Sequence, residues 1–377
     1  MAGKSGAPWW AHLMMYAGGL TLVVAGGAAA VAQIALHTAN NAVEQEDILD
    51  NRAEMDVENI EGPLNILVLG VDKQGDSTRS DTMILVHVNK DLTETTMVSL
   101  PRDLWVEIPD CGPNWGDAPC ENKINHSASI SDDWEVTRPN VVQTIYDLTG
   151  VEFHLGATVD FEGFLGLVDM VGEIELCPWH EITSYHGDHR VFPEGCAYYD
   201  KDESLDLIRQ RYGWNWDSDW EEGRGGDYGR QAMQQQAIKS LLKEFKAQGF
   251  HTDPTKLTAI LEGFGGSLTI DKPADLSITD LAVNLRDIDP DAMASIQVPS
   301  TPDKTVMGGE EVDIVMTHEG AERTAADALW EALQNDTLDQ WITQYPEWVK
   351  DGGANTEGTT TGTTDEGATD ETGEETD

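Results

Sequence analysis

Arginine and aspartate side chains recur in four short segments of a chain that is otherwise poor in cations. Asp72 and Asp81 flank Arg79 in the first segment, and Arg102 with Asp103 forms the second. The third and fourth segments supply the other polar side chains, which are Lys123, Arg209, Arg211, Asp227, Arg230 and Gln234. Planar guanidinium groups bind phosphate oxygens in a bidentate manner, and a pair of carboxylates suits a hard cation such as Mg²⁺. The pattern predicts a site that handles phosphate esters.

The placement of these residues in predicted elements supports this hypothesis, although each also has a purely structural interpretation. Asp72 follows a buried strand, where sheet-based sites place their ligands, but aspartate also favours ordinary turns. Arg209 and Arg211 are two residues apart, so a regular helix would direct them to different faces, whereas a fraying helix end would let them converge. Arg230 and Gln234 are four residues apart at a helix start, where the positive end of the dipole favours phosphate.

The net charge limits the partners of the protein. Its 377 residues include 23 Lys and Arg against 69 Asp and Glu, which gives a formal net charge of −46. Binding to nucleic acid depends on a basic surface and on the release of counterions, so we expect no nucleic acid partner. The length and the 40% hydrophobic content are sufficient for one large catalytic domain with appendages.

The amino-terminal region is predicted to anchor the protein in the cell membrane. Residues 9–36 are almost wholly apolar, and this run exceeds the roughly 20 residues that a helix needs to cross a bilayer. We expect a short cytoplasmic end at 1–10, a single transmembrane helix at 11–36, a linker at 37–61 and an extracytoplasmic catalytic domain. A cleaved signal peptide is the alternative, because residues 30–32 (Ala-Val-Ala) resemble a cleavage site.

Four cysteines are consistent with an extracytoplasmic domain. Cys111 and Cys120 bracket one loop, and Cys177 and Cys196 bracket another. An even number of cysteines in such loops predicts two local disulfides. A zinc site is the alternative, but neither pair has the C-x₂-C spacing that is typical of zinc ligands.

Patterns of hydrophobic residues predict an α/β domain over residues 62–349. Apolar and β-branched runs predict strands at 64–71, 82–88, 95–100, 104–108, 172–177, 294–298 and 312–316. Helical spacing predicts helices at 138–148, 161–171, 203–212, 227–245, 254–263, 277–288 and 319–334. We expect an α/β (α+β) layered fold with helices on both sides of a central mixed sheet. Residues 350–377 are acidic and rich in Gly and Thr, which predicts a disordered tail.

The order and identity of the polar segments resemble those of the LytR–CpsA–Psr family, which are phosphotransferases of bacterial cell-envelope assembly. The matching segments are NILVLGVD, RSDTMILVHVN, SLPRDLWVEIP, NKINHS, LIRQRYG and GDYGRQAMQQQ. The predicted topology, one membrane helix and an extracytoplasmic domain, is also that of the family. Met233 is a departure, because many relatives carry an arginine three residues after the position of Arg230.

The resemblance implies transfer of a glycopolymer phosphate from an undecaprenyl pyrophosphate lipid to peptidoglycan, at the 6-hydroxyl of a muramic acid residue. It implies that Asp72 and Asp81 hold Mg²⁺ and that an apolar groove between sheet and helices holds the prenyl chain. It also implies that pyrophosphate oxygens contact Arg79, Arg102, Arg209, Arg211, Arg230 and Gln234, and that Lys123, Asp103 and Asp227 belong to the substrate-binding residues. Asp81 is the candidate for accepting the proton of the acceptor hydroxyl.

Other functions are compatible with the same residues. A polyprenyl pyrophosphate pyrophosphatase would use the same metal and arginines, with water in place of the sugar hydroxyl. A transcriptional attenuator is a label that the family has attracted, but the acidic composition and the lack of a helix-turn-helix pattern weigh against it. A non-catalytic wall-binding protein would use the tryptophan-rich insert over 212–226, which is otherwise a loop on the rim of the site.

Overall fold

The structure, a computed structural model, describes residues 44–45, 48–49, 52–74, 77–113, 118–186, 188–212, 225–249 and 267–350. The predicted membrane helix at 11–36 and the predicted helix at 254–263 lie outside these residues. Most of the insert over 212–226 and nearly all of the tail at 350–377 also lie outside them. Within the described ranges, no helix is both long enough and apolar enough to cross a membrane.

Fifteen strands are present in the described part of the chain. In chain order they are β1 (Glu44–Gln45), β2 (Leu64–Gln74), β3 (Ser77–Val88), β4 (Thr95–Leu100), β5 (Trp105–Ile108), β6 (Cys120–Lys123), β7 (Leu155–Asp160), β8 (Ile174–Leu176), β9 (Ile182–Thr183), β10 (Val191–Phe192), β11 (Ala197–Tyr199), β12 (Leu268–Asp271), β13 (Ala294–Gln297), β14 (Thr301–Met307) and β15 (Glu310–Met316).

Seven of these strands form a central sheet in the order β1-β12-β7-β2-β3-β4-β13. Strands β2, β3 and β4 are antiparallel neighbours, whereas β7 runs parallel to β2 and β13 runs parallel to β4. The prediction of a mixed sheet is therefore confirmed. The sequence patterns missed β7, although it is a central strand, because its run LGATVD is short and contains Gly and Thr.

The described helices cover both faces of the sheet. In chain order they are α1 (Trp134–Thr149), α2 (Phe161–Val171), α3 (Lys201–Ile208), α4 (Asp227–Ala247), α5 (Ile278–Asn284), α6 (Ala321–Asn335) and α7 (Leu338–Gln344). Successive side chains of a strand point to opposite faces. Leu67 and Leu69 therefore join a core cluster with residues of α1 and α6, such as Leu329, whereas Val68 packs near Ile238 of α4 on the other face.

The described part of the predicted linker over 37–61 packs on the domain and does not form a free linker. Strand β1 pairs in parallel with β12 at the edge of the central sheet. Ile48 and Leu49 are buried, and Gly156 of β7 lies so close to them that an added Cβ would be 3.2 Å from Ile48. Arg52 forms an ion pair with buried Asp271. The acidic composition suggested a linker because the few apolar residues of this segment follow no regular period.

Candidate functional site

A cavity of about 430 Å³ lies between the central sheet and helices α2 and α4. The lining changes from apolar to polar along two elements. This change runs from Val68 to Asp72 along β2 and from Leu241 to Arg230 along α4. One end of the cavity is consequently polar and the other end is apolar. The polar end is lined by Asp72, Asp81, Arg102, Arg209, Arg211, Arg230 and Gln234, and the apolar end by Val68, Ile84, Phe164, Leu167, Ala237, Ile238 and Leu241.

A β-bulge places Asp81 at the polar end of the cavity. The register between β2 and β3 pairs Gly70 with Thr82 and Val71 with Ser80, so Asp81 has no opposite residue in the ladder. A bulge of this kind redirects a side chain and is common next to active sites. Gly70 is required here, because a Cβ at this position would lie 2.7 Å from the Cβ of Thr82.

Arg102 connects the cavity wall to the charges behind it. Its Nη1 donates a hydrogen bond to Oδ1 of Asp81 at 3.0 Å. Its Nε lies 3.5 Å from Oδ2 of Asp103, and Oδ1 of Asp103 lies 2.9 Å from Nζ of Lys123. Neither Asp103 nor Lys123 lines the cavity. These two residues were predicted to bind substrate. They instead lie on the side of Arg102 away from the cavity, where they orient its side chain and offset its charge.

Arg230 lies in the first turn of α4 and is only 5% exposed. Its Nη2 donates to the backbone carbonyl of Asp81 at 2.6 Å and lies 2.7 Å from Oδ1 of Asp227. Asp227 does not line the cavity, and its Oδ1 is also 3.9 Å from Nε of Arg102. Asp227, also predicted to bind substrate, therefore lies behind the two arginines and fixes their relative position.

The ionisation of Asp81 reflects this surrounding charge. Burial by itself would raise the pKa of the carboxyl group, but the Arg102 and Arg230 guanidinium groups outweigh burial and hold this pKa below its ordinary value. The carboxylate in turn contributes to a raised pKa of Arg102, against the opposing effect of burial. At neutral pH the polar end therefore contains an anion embedded among permanent cations, an arrangement that is typical of functional sites.

Helix α3 ends at Ile208, earlier than the predicted end at residue 212, and Arg209 is its C-cap. The early end releases Arg209 and Arg211 from helical spacing, and both line the cavity. The guanidinium group of Arg209 lies 4.5 Å from the centroid of the Phe161 ring, which supports it by a cation–π contact. Arg211 is close enough to lower the pKa of Asp81. The sequence had left open whether these arginines converge, and the structure shows that they do.

Gln234 connects three elements around the cavity. Its Nε2 donates to Oγ1 of Thr82 at 2.9 Å and to the carbonyl of Ile208 at 3.3 Å. Its Oε1 is buried and has no hydrogen-bond partner in the described part of the chain. Gln234 therefore fixes α4 against β3 and the end of α3.

The structure describes Arg79 only in part. The backbone of Arg79 pairs with Asp72 across β2 and β3, which places the residue beside the polar end. Its side chain lies outside the described residues. Binding of phosphate by the Arg79 side chain therefore stays a prediction.

Several residues of the cavity wall were missed by the sequence patterns, among them Asp160, Phe161 and His186. Asp160 ends β7 and caps α2, where its carboxylate accepts a hydrogen bond from the Gly163 amide at 3.0 Å. Phe161 and His186 also line the cavity. The segment from 155 to 163, a short strand followed by D-x-x-G, was a usable signal for Asp160 and Phe161.

Both predicted disulfides are confirmed. Cys111 is bonded to Cys120, and Cys177 is bonded to Cys196, so all four cysteines are oxidised. This pairing excludes the alternative of a cysteine-ligated zinc. The second disulfide closes the loop that carries His186 to the cavity.

The polar end offers a restricted set of ligands for a metal. Within the described ranges, no group of three or more His, Cys, Asp or Glu side chains is placed to hold an ion. Asp72 and Asp81 line the same cavity, and the low pKa of Asp81 keeps it ionised. Mg²⁺ keeps several waters and is usually bound by one or two carboxylates together with substrate phosphates. Two carboxylates beside arginines in one cavity therefore fit Mg²⁺.

The chain is similar in sequence to known proteins. The family model of LytR_cpsA_psr matches residues 31–334. The polyisoprenyl-teichoic acid–peptidoglycan teichoic acid transferase TagU of Oceanobacillus iheyensis is 31% identical over 214 residues, which cover 56% of this chain and 60% of that protein. The chain thus spans about three fifths of the length of the curated relatives it matches.

Two solved structures share the fold. B. subtilis TagV aligns with a TM-score of 0.53 at 22% identity, over 74% of this chain and 98% of that chain. The LytR-Csp2A-Psr enzyme from Actinomyces oris aligns with a TM-score of 0.53 at 17% identity, over 78% of this chain and 96% of that chain. The mixed α/β architecture is therefore common to these proteins. Since the family match covers most of the sequence, the chain belongs to the LytR_cpsA_psr family.

Proposed function

We propose that this protein is a transferase that moves a glycopolymer phosphate from a polyprenyl pyrophosphate lipid, undecaprenyl pyrophosphate in the first instance, to peptidoglycan. The observation that carries the proposal is that one cavity has both a polar and an apolar end. A lipid pyrophosphate has the same division, an anionic group attached to a hydrocarbon chain. The cavity volume of about 430 Å³ is within the range of roughly 300–1,000 Å³ that is usual for small-molecule sites.

The names of the relatives support the same reaction class. The TagU proteins of Oceanobacillus iheyensis and Bacillus cereus are named as transferases of teichoic acid to peptidoglycan. We extend to this chain the transfer of an anionic glycopolymer. The 6-hydroxyl of a muramic acid residue is the proposed acceptor.

The arginines of the polar end would bind and orient the pyrophosphate. Arg102 projects from the loop after β4, and Arg230 projects from the start of α4, so the two reach the same site from different elements. Charge that spreads over the phosphate oxygens in the transition state is stabilised by such fixed cations. Arg209 and Arg211 add positive charge on the α3 side, while Gln234 supplies an amide.

Asp72 and Asp81 would hold Mg²⁺ at this end, as argued from the donor set. When bound, the ion neutralises charge on the phosphate oxygens. The depressed pKa of Asp81 makes its carboxylate a weak base, and this favours a metal-holding role over proton acceptance from the sugar hydroxyl. Arg102 keeps that carboxylate ionised in the free protein.

The proposal includes an anchor at residues 11–36 that would keep the domain at the outer face of the cell membrane, where the lipid carrier is accessible. The anchor lies outside the described residues, and its support is the apolar run of the sequence. Protease treatment of intact cells tests this arrangement. We expect digestion of the domain from outside; protection in intact cells would contradict it.

A product analysis tests the reaction itself. The protein is incubated with a short-chain polyprenyl pyrophosphate glycan, with and without a peptidoglycan acceptor, in Mg²⁺ or in chelator. We expect a phosphodiester-linked glycan–peptidoglycan product that requires both acceptor and Mg²⁺. Release of glycan phosphate at the same rate with and without acceptor would instead identify a pyrophosphatase. No turnover with any donor would favour a non-catalytic wall-binding role.

A further inference from the structure

Two exposed tyrosines form a pair beside the polar end of the cavity. The ring centroids of Tyr185 and Tyr212 are 5.5 Å apart, with an angle of 66° between the ring planes. Although the rings contact each other, Tyr185 is 61% exposed and Tyr212 is 60% exposed. Their chain neighbours His186 and Arg211 line the cavity. The pair therefore lies at the mouth of the cavity and presents aromatic surface to solvent.

The side chain of Gln210 holds the two tyrosines together. Gln210 is only 1% exposed, and its Oε1 accepts a hydrogen bond from the backbone amide of Tyr185 at 3.1 Å. Its Nε2 donates to the backbone carbonyl of Tyr212. The disulfide between Cys177 and Cys196 closes the loop that carries Tyr185. The two tyrosines come from separate parts of the chain, but their spacing is fixed in advance of any ligand, which reduces the entropic cost of binding.

The chemistry of the pair fits a sugar ring. A tyrosine combines an apolar ring face with a hydroxyl group that donates and accepts hydrogen bonds. A pyranose has the same combination, apolar C–H faces and a rim of hydroxyl groups. A prenyl chain offers no hydrogen-bonding group, and the cavity already has an apolar end for it near Ile238 and Leu241.

The geometry of phosphoryl transfer identifies which sugar would lie there. The attacking and leaving oxygens are roughly in line on opposite sides of the phosphorus atom. With the prenyl phosphate leaving group at the apolar end, the attacking hydroxyl must arrive from the polar mouth. Arg211 and His186, the chain neighbours of the two tyrosines, line the same cavity as Asp81 and Arg230, so the pair borders the polar end where the phosphate would bind.

We infer that the Tyr185–Tyr212 pair is an aromatic platform for a sugar ring of the acceptor glycan, with one tyrosine stacked on the sugar ring and the other, inclined at 66°, in contact with its edge; the inference rests on the proposed phosphotransferase function. Arg211 and His186 then lie between the stacked ring and the phosphate. The platform sets the affinity for the acceptor. It does not take part in the bond changes at phosphorus.

Binding of a soluble glycan tests this inference without turnover. The probe is an uncross-linked fragment of alternating N-acetylglucosamine and N-acetylmuramic acid, titrated by NMR into the full protein. Replacement of both tyrosines (Tyr185→Ala with Tyr212→Ala) is expected to weaken binding about tenfold or more, since two aromatic contacts are lost. The Tyr→Phe variants keep the ring faces and should retain most of the affinity. The matched control is Tyr198→Ala, because Tyr198 is 51% exposed on β11 and does not line the cavity.

Kinetics distinguish this inference from the proposed function. The double variant should raise the KM for the acceptor with a much smaller change in kcat, whereas a raised KM for the lipid donor alone would overturn the assignment. Unchanged glycan affinity in the double variant would also overturn it. If wild-type protein binds the glycan fragment but transfers no phosphate, the proposed function fails while the glycan platform stands. Each single Tyr→Ala variant provides the same test if the double variant folds poorly.

Discussion

Two groups of opposed charges lie at different places on the central sheet, and one of them borders the cavity between the sheet and helices α2 and α4. The first group, the edge pair, consists of Arg52 and Asp271 and joins the amino-terminal segment to β12. Asp271 is 1% exposed, and its carboxylate also accepts a hydrogen bond from the Leu49 amide at 2.5 Å. The second group, the cavity cluster, leaves the side chains of Asp81 and Arg102 28% and 21% exposed. Its members are Asp81, Arg102, Asp103, Lys123, Asp227 and Arg230.

The difference between the two groups shows how the same residue types serve structure in one place and binding in another. In the edge pair, the carboxylate of Asp271 is occupied by groups of its own chain and closed to solvent. In the cavity cluster, Arg102 is shared among three carboxylates and still reaches the cavity. A closed pair holds the chain in position, whereas an open cluster with a perturbed pKa can exchange internal partners for a ligand.

Asp271→Ala should give the largest effect on stability. Removing the carboxylate takes the ion-pair partner from Arg52, which is 25% exposed, and the acceptor from the Leu49 amide, and a loss of this kind costs roughly 1–3 kcal/mol. We expect the free energy of unfolding, measured by urea denaturation, to fall by that amount, while transfer per folded molecule is unchanged. Asp291→Ala is the matched control, because Asp291 is 70% exposed. A loss of transfer activity in folded Asp271→Ala would contradict this separation, because it would mean that the edge pair also contributes to function.

Asp81→Ala should show the opposite pattern. Loss of the carboxylate removes a metal-holding group and the partner of Arg102, so transfer should fall by at least about a hundredfold, which is typical for removal of a preorganised electrostatic group. Thermal melting should change little, because Asp81 remains partly open to solvent. Phosphodiester product formation is the measurement, again with Asp291→Ala as the control. Undiminished transfer would remove Asp81 from the site.

Arg102→Lys and Arg230→Lys test whether the arginines contribute geometry or only charge. Lysine keeps the charge but loses the planar fork, so we expect transfer to fall about tenfold or more in each variant. Arg286→Lys is the control, because Arg286 is 53% exposed on the surface. Arg52→Lys sharpens the comparison, since it should lower stability and leave the transfer rate of folded protein intact. Wild-type rates in both cavity variants would mean that charge alone is sufficient.

The smallest effect concerns pH. Because the folded pKa of Asp81 lies below its ordinary value of 3.8, its ionised form stabilises the fold above that value. This contribution is lost as the pH falls through the folded pKa. In Arg102→Gln the opposing effect of burial remains while one guanidinium is removed, so Asp81 should titrate at a higher pH than in the wild type. A carboxyl NMR titration measures the shift. Lys201→Gln, which changes a distant exposed lysine, should leave the Asp81 titration unchanged.

Much of this arrangement followed from local patterns. The strands at 64–71 and 95–100 and the helices at 161–171 and 227–245 were predicted within a few residues, because the strands are short apolar or β-branched runs and the helices carry apolar residues at helical spacing. Both disulfides followed from loop composition. Strands β7 and β12 were missed, because short strands with Thr and Gly become strands only when neighbouring strands supply their hydrogen bonds.

The site was predicted as a set of residues but not as an arrangement. The sequence placed Asp103, Lys123 and Asp227 with the substrate, whereas the structure places them behind Arg102 and Arg230. It offered no reason to select His186, since this residue lies in no charged motif. Residues separated by a hundred positions or more meet in the cavity, and pattern analysis within a window does not detect such contacts.

The sequence by itself determined the charged residues, the hydrophobic patterns of the main strands and helices, and the cysteine pairs, because these depend on residue type and short spacing. Only the tertiary structure decided which charges face the cavity. The bulge at Gly70 and Val71 frees Asp81 from the ladder, and the early end of α3 lets Arg209 and Arg211 converge. The edge pair formed by Arg52 and Asp271 likewise depends on the tertiary structure. The two residues lie more than two hundred positions apart in the sequence and are brought together by the pairing of β1 with β12.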